Sequence, residues 1–146
     1  MKDILHFLYE YRQLLARRDL LGNKLDPDSV DRLDALERLF AAGAEEPGSG
    51  LFKRRYARCD IGVWGTLKAG GRVHSVRVVN VGGGGICIKP APAIRQGERA
   101  VVRIVSRETG REYAYPVQAE WIHRSQNESS MGMPFVGVPL QVAAAY

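Results

Sequence analysis

The sequence predicts a mainly β protein that carries a helical element at its N-terminus. Apolar residues recur at helical spacing through the first forty-odd positions and at period two from Leu51 onward, and "GAEEPGSG" (43–50), a linker by composition, divides the two regimes. The second part offers six or so short strands separated by turn-like stretches with no helical run between them, which implies an antiparallel barrel or sandwich. The expected organisation is a helical hairpin over 1–46, a linker over 47–52 and a β-barrel over 53–146.

The first helix is expected from about Asp3 to Leu20, with Ile4, Leu5, Leu8, Tyr11 and Leu15 on its apolar stripe and Gly22-Asn23 as its stop. The second is capped by Asp26, with Pro27 at its first position, Asp28 and Asp31 in the first turn where the helix dipole favours acids, and Val30, Leu33, Leu36, Leu39 and Phe40 as its stripe. Short amphipathic helices do not hold together alone, so these must pack on the second part of the chain or on another copy. Strand candidates follow at Ile61–Leu67, Val73–Val81, Gly85–Ile88, Ala100–Val105 and Phe135–Val138. The clearest period-two run is "REYAYPVQAEWIH", which puts Tyr113, Tyr115, Val117, Ala119 and Trp121 on one face, expected to be core. "KAGG", "APAIRQGE", "RETG" and "RSQNESS" read as turns.

The chain of 146 residues, 45% of them hydrophobic, suits one globular domain with a small appendage. No apolar run approaches the roughly 20 residues that span a bilayer, and the opening "MKDILHFLYEYRQLL" does not read as a signal peptide, so a cytoplasmic location is expected. The net charge of +5 is uneven: residues 1–46 hold 7 Lys/Arg and 10 Asp/Glu, whereas 47–146 hold 14 and 6. The second part is the one suited to an anion. Cys59 and Cys87, without CxxC spacing, read as buried free thiols. His6, His74 and His123 lie in separate segments, Asp60 is the only aspartate after residue 34, and no zinc spacing, carboxylate pair or serine elbow occurs, so enzymatic activity is not expected.

Two stretches stand out. In "KRRYAR", Arg54 and Arg58 converge on one side whether the segment is helical or extended, and guanidinium forks both pair with phosphate oxygens and lie flat on purine rings; the alternative is a solvated basic linker. In "VVNVGGGGICI", four glycines separate β-branched runs, at about 0.5–1 kcal/mol each relative to alanine inside regular structure. A phosphate-binding Walker loop needs Lys-Ser/Thr and a helix next, and a dinucleotide GxGxxG also needs a helix; Ile86-Cys87-Ile88 is strand instead. What remains is a hairpin or bulge loop, structural or ligand-bearing.

Taken together, "RRYAR" and, about twenty residues later, "NVGGGGI" resemble the RxxxR and [D/N]xSxxG signatures of PilZ domains, met by Arg54 and Arg58, then Asn80 and Gly85. "QGERAVVRIV", "VQAEWI" and "MGMPFVGV" are similar to later segments of that family, so the resemblance covers about Leu51 to Leu140. It implies a six-stranded antiparallel β-barrel that binds the bacterial second messenger cyclic di-GMP without a further cofactor or metal. Arg54 and Arg58 would form the clamp, Arg55 and Lys53 would add charge, Asn80 would meet a guanine edge, and Gly85 would be the point of close backbone approach. The serine of the pattern is Gly82 here. A lost hydrogen bond to a charged group is worth about 1.5–3 kcal/mol, or ten- to a hundred-fold in affinity, unless the amides of Gly82, Gly83 and Gly84 form an anion-holding concavity.

The resulting expectation is a cyclic di-GMP receptor or adaptor whose helices, residues 3–42, associate with a second copy or a protein partner, the other arrangement being a hairpin folded back on its own barrel. The competing expectation is a degenerate PilZ-type interaction module that does not bind the nucleotide. Membrane insertion is not expected, and single-stranded nucleic acid would require aromatics exposed on a basic face, whereas Tyr113, Tyr115 and Trp121 are expected inside.

Overall fold

The computed structural model describes residues 4–41, 59–106, 109–124 and 127–143. Two helices come first, α1 (Ile4–Asp19) and α2 (Pro27–Ala41). Eight strands follow: β1 (Cys59–Ala69), β2 (Arg72–Val81), β3 (Gly85–Lys89), β4 (Arg99–Val105), β5 (Arg111–Gln118), β6 (Trp121–Arg124), β7 (Ser129–Pro134) and β8 (Leu140–Ala143). They form one antiparallel sheet in the order β6-β7-β3-β2-β1-β4-β5-β8. The sheet is not closed by a full ladder; an isolated bridge between Val117 and Phe135 ties β5 to the chain just beyond β7.

The mainly β class, the antiparallel pairing and the two N-terminal helices agree with the sequence reading, but the six-stranded barrel does not: there are eight strands among the described residues. The period-two run through Trp121 is two strands, because the backbone turns at Ala119 and Glu120. There Ala119 N–H bonds Glu98 O at 2.9 Å, its carbonyl accepts from Gly97 N–H at 2.7 Å, and Glu120 N–H crosses to Gly132 O at 3.1 Å. Instead of the expected strand at Phe135–Val138 there is one at Ser129–Pro134, whose first two residues end the turn-like "RSQNESS", and β8 follows it. Where turn chemistry was plain the reading holds: Gly70 and Gly71, in "KAGG", take φ of 56° and 77° between β1 and β2, as a tight hairpin requires.

The helices are folded back on the sheet. Leu5, Leu8, Tyr11, Leu33, Leu36 and Phe40 join the strand side chains Val76, Val78, Ile104, Tyr113 and Tyr115 in one core. Each such burial stabilises by about 1.5–3 kcal/mol. Tyr11 and Phe40 meet at 5.2 Å between ring centroids, and Arg32 of α2 bonds Glu10 of α1 at 2.7 Å. The apolar stripes are therefore used within the chain, Val30 and Leu39 excepted, which remain exposed. At the N-terminus of α2, Ser29 hydrogen-bonds the Asp26 carboxylate and Val30 N–H bonds Asp26 O at 3.0 Å, the cap expected there. No described helix is long and apolar enough to cross a membrane.

Candidate functional site

The four glycines form the end of the β2–β3 hairpin. Val81, Gly82 and Gly83 are buried and Gly84 is half-buried, and none of Gly82–Gly85 has a positive φ. The loop is therefore not rich in glycine for the sake of left-handed backbone. At Gly85 the reason is proximity: a Cβ would lie 2.6 Å from Met133 O and 3.0 Å from Pro134 Cα, so β7 is packed against the position where a side chain would begin. Gly85 thus has a structural role apart from any ligand.

The loop's hydrogen bonds are one-sided. Gly85 O accepts from Gly82 N–H at 2.9 Å, Gly84 O from Phe135 N–H at 3.0 Å, and Gly83 O from Arg12 Nη1 at 3.4 Å. Three consecutive carbonyls are held by the protein, while the N–H groups of Gly83 and Gly84 meet no acceptor among the described residues. Backbone amides left in this way favour an anion.

On the outer side, a row of paired residues crosses five strands. Asp60 pairs with Asn80, Asn80 with Cys87, Cys87 with Gly132, and Gly132 with Trp121. Directly paired residues in antiparallel strands share a face. Ile86 and Ile88 point into the core, so the row between them lies on the opposite side of β3. Four strand spacings make it about 19 Å long. Asn80 is half-buried, its side chain makes no hydrogen bond to another described residue, and Asp60 beside it is exposed. At the far end the Trp121 indole lies on Gly132, where a Cβ would sit 2.0 Å from the ring. Trp121 remains 40% exposed, which corrects its expected place in the core.

Lys53, Arg54, Arg55 and Arg58 lie outside the described residues. The chain resumes at Cys59, whose Cα partner is Val81, the residue before Gly82. Asn80, Gly82, Gly83, Gly84 and Gly85 are together at the hairpin end, and Trp121 and Arg12 are additions that the sequence reading did not make. Trp121 had no local signal, because the alternation of the run put it in the core; Arg12 reaches the loop only through the docking of α1. Cys87 is buried, as expected. No group of His, Cys, Asp or Glu that could hold a metal occurs among the described residues.

The second face of the loop belongs to α1. Tyr115 Oη donates to Leu5 O at 2.6 Å, and the Arg12 guanidinium stands 5.3 Å from the Phe135 ring centroid. His6 is half-buried between Glu10 Oε1 and Tyr113 Oη, each at 3.0 Å. With Nε2 carrying the proton towards Glu10, Nδ1 accepts from the tyrosine hydroxyl.

The hairpin end thus brings together a loop with two unpaired amides, a polar residue beside it and, at the end of the row, an aromatic ring. The family model of the PilZ domain matches residues 52–144, and the chain belongs to that family. PilZ domains are non-enzymatic receptor domains associated with cyclic di-GMP signalling. Among solved structures, that of the Bacillus subtilis inhibitor of motility (MotI/DgrA) is similar at 17% identity with a TM-score of 0.49, covering 60% of this chain. The match covers 44% of that protein, so this chain corresponds to less than half of its length. No curated protein matches the chain.

Proposed function

We propose that this protein is a cyclic di-GMP receptor that couples nucleotide binding to the position of its helices and so to a protein partner. One observation carries the reading: Cys59 pairs with Val81, so the segment bearing Arg54 and Arg58 is joined to β1 at the residue that faces the start of the glycine loop. Five residues of chain reach at most about 18 Å. A path back along the sheet would bring both guanidinium groups to Asn80 and the loop.

In the mechanism, the arginines supply charge and flat guanidinium surfaces to the phosphates and purines, and the free amides of Gly83 and Gly84 stand in for the missing serine hydroxyl. Asn80 offers one acceptor and two donor hydrogens to a guanine edge, and Trp121 offers a ring face at the end of the row. Arginine contacts to the nucleotide would couple its binding to the chain that joins α2 to β1, and so to the helices. No covalent step is involved.

The measurement is titration calorimetry with cyclic di-GMP. Heat of binding is expected, with Arg58→Ala weakening it far more than Arg95→Ala, an exposed charge-matched control on the β3–β4 connection. No heat at high micromolar protein overturns the reading and leaves the ligand-independent interaction module, in which Arg54 and Arg58 can be neutralised without consequence.

A further inference from the structure

The candidate loop and α1 share an atom, the carbonyl of Gly83, and from this contact we infer that Arg12 is a positioning residue for the ligand loop, deepening the cyclic di-GMP reading on which its ligand role rests. The guanidinium reaches from the middle of α1, packs over Phe135 at 5.3 Å and donates to Gly83 O at 3.4 Å. Phe135 closes the circuit, its own N–H bonding Gly84 O at 3.0 Å. One side chain therefore touches both the loop and the residue that pins the loop.

The consequence is directional. A peptide unit has its C=O and the following N–H on opposite sides, so fixing the carbonyl of Gly83 towards α1 turns the N–H of Gly84 away from it. Glycine-rich backbone loses more freedom on ordering than any other, and this loop has no side chains of its own to order it. One bond within the loop, Gly82 N–H to Gly85 O, closes it, and the carbonyls of Gly83 and Gly84 are held from outside by Arg12 and Phe135. Arg12 is held in turn by the seating of α1, through Tyr115 Oη on Leu5 O at 2.6 Å and His6 on Tyr113 at 3.0 Å. Helix and loop form one mechanical unit, and a ligand that pulls on the loop pulls on α1 through Arg12.

The test uses the full chain. In the ligand-free protein, Arg12→Ala is expected to speed amide exchange at Gly82 N–H and Phe135 N–H by about tenfold, leaving Val76 and Val78 in β2 unchanged, and to weaken cyclic di-GMP about three- to tenfold in calorimetry. Arg18→Ala, which removes the same charge from the exposed end of the same helix, is expected to do neither. If Arg12→Ala loosens the whole sheet, Arg12→Met keeps the stem over Phe135 without a donor and is read instead. Unchanged exchange at Gly82 and Phe135, an equal effect from Arg18→Ala, or faster exchange with undiminished affinity each overturns the inference. Should the wild type not bind cyclic di-GMP, the functional reading falls with the ligand role, while the exchange arm still decides whether Arg12 holds the loop.

Discussion

Replacing Gly85 by alanine tests whether the candidate motif is built first for the sheet. The new Cβ would stand 2.6 Å from Met133 O, 3.2 Å from its carbonyl carbon and 3.0 Å from Pro134 Cα. All three are backbone atoms of β7, which is itself pinned by four register pairs to β3 and four to β6. No rotamer change relieves such a clash; β3 and β7 must separate or slide. Overpacking of this kind costs about 1–3 kcal/mol, and the rigidity on both sides puts Gly85→Ala at the upper end, about 3 kcal/mol. For a chain of this size that lowers the melting temperature by about 6–12 °C. Thermal and urea unfolding of ligand-free protein, followed by far-ultraviolet circular dichroism, give the number. Two other glycines calibrate it. At Gly71 nothing lies within 4 Å but φ is 77°, so alanine costs only the left-handed penalty, about 1 kcal/mol. At Gly132 the obstacle is the Trp121 ring, which can swing into solvent, so the loss is about 1–2 kcal/mol and comes with a red shift of tryptophan emission. A Gly85→Ala protein that melts within about 2 °C of wild type would refute the close approach of β3 to β7.

Three further outcomes are expected. Gly82→Ser, at a position whose φ suits any residue, restores the hydroxyl of the family pattern and is expected to tighten cyclic di-GMP by about tenfold in calorimetry; weaker binding would show that the buried loop has no room for it. Trp121→Ala removes the ring face at the end of the row and is expected to cost about tenfold in affinity, with the circular dichroism spectrum retained. The Asp26 carboxyl lies below its ordinary value of 3.8, chiefly through the Ser29 hydrogen bond. A depressed carboxyl adds stability above its unfolded value that is lost as pH falls through the folded one, so helicity should decline below about pH 4 and Ser29→Ala should flatten that decline.

How far the sequence could be read follows the range of the forces involved. The helix limits near Asp3–Leu20 and Asp26–Pro27, the hairpin at Gly70-Gly71 and the strands ending at Val81 and Val105 rest on local chemistry, and they are where that chemistry puts them. β7 went unseen because "SSMGMP" has no β-branched residue; it is a strand because β3 and β6 flank it and supply its ladder. β6 was merged with β5 because alternation continues through Ala119 while the backbone does not. At the site, Asn80 and Gly82–Gly85 were legible as a motif, and the structure brings them to one hairpin end. Their neighbours were not: Trp121 arrives through a register pair with Gly132, and Arg12 through the docking of a helix some seventy residues earlier in the chain.

The indole resting on Gly132 also makes the protein its own indicator. Trp121 stands at the end of the row that contains Asn80, half open to water, and the only other tryptophan, Trp64, stands 65% exposed on β1 opposite Arg77. With Trp64 replaced by phenylalanine, a single fluorophore remains, set against a glycine that gives its ring no side chain to hide behind. A planar, light-absorbing guest landing on the row quenches it, so occupancy can be followed by emission alone, at sub-micromolar protein and without a label.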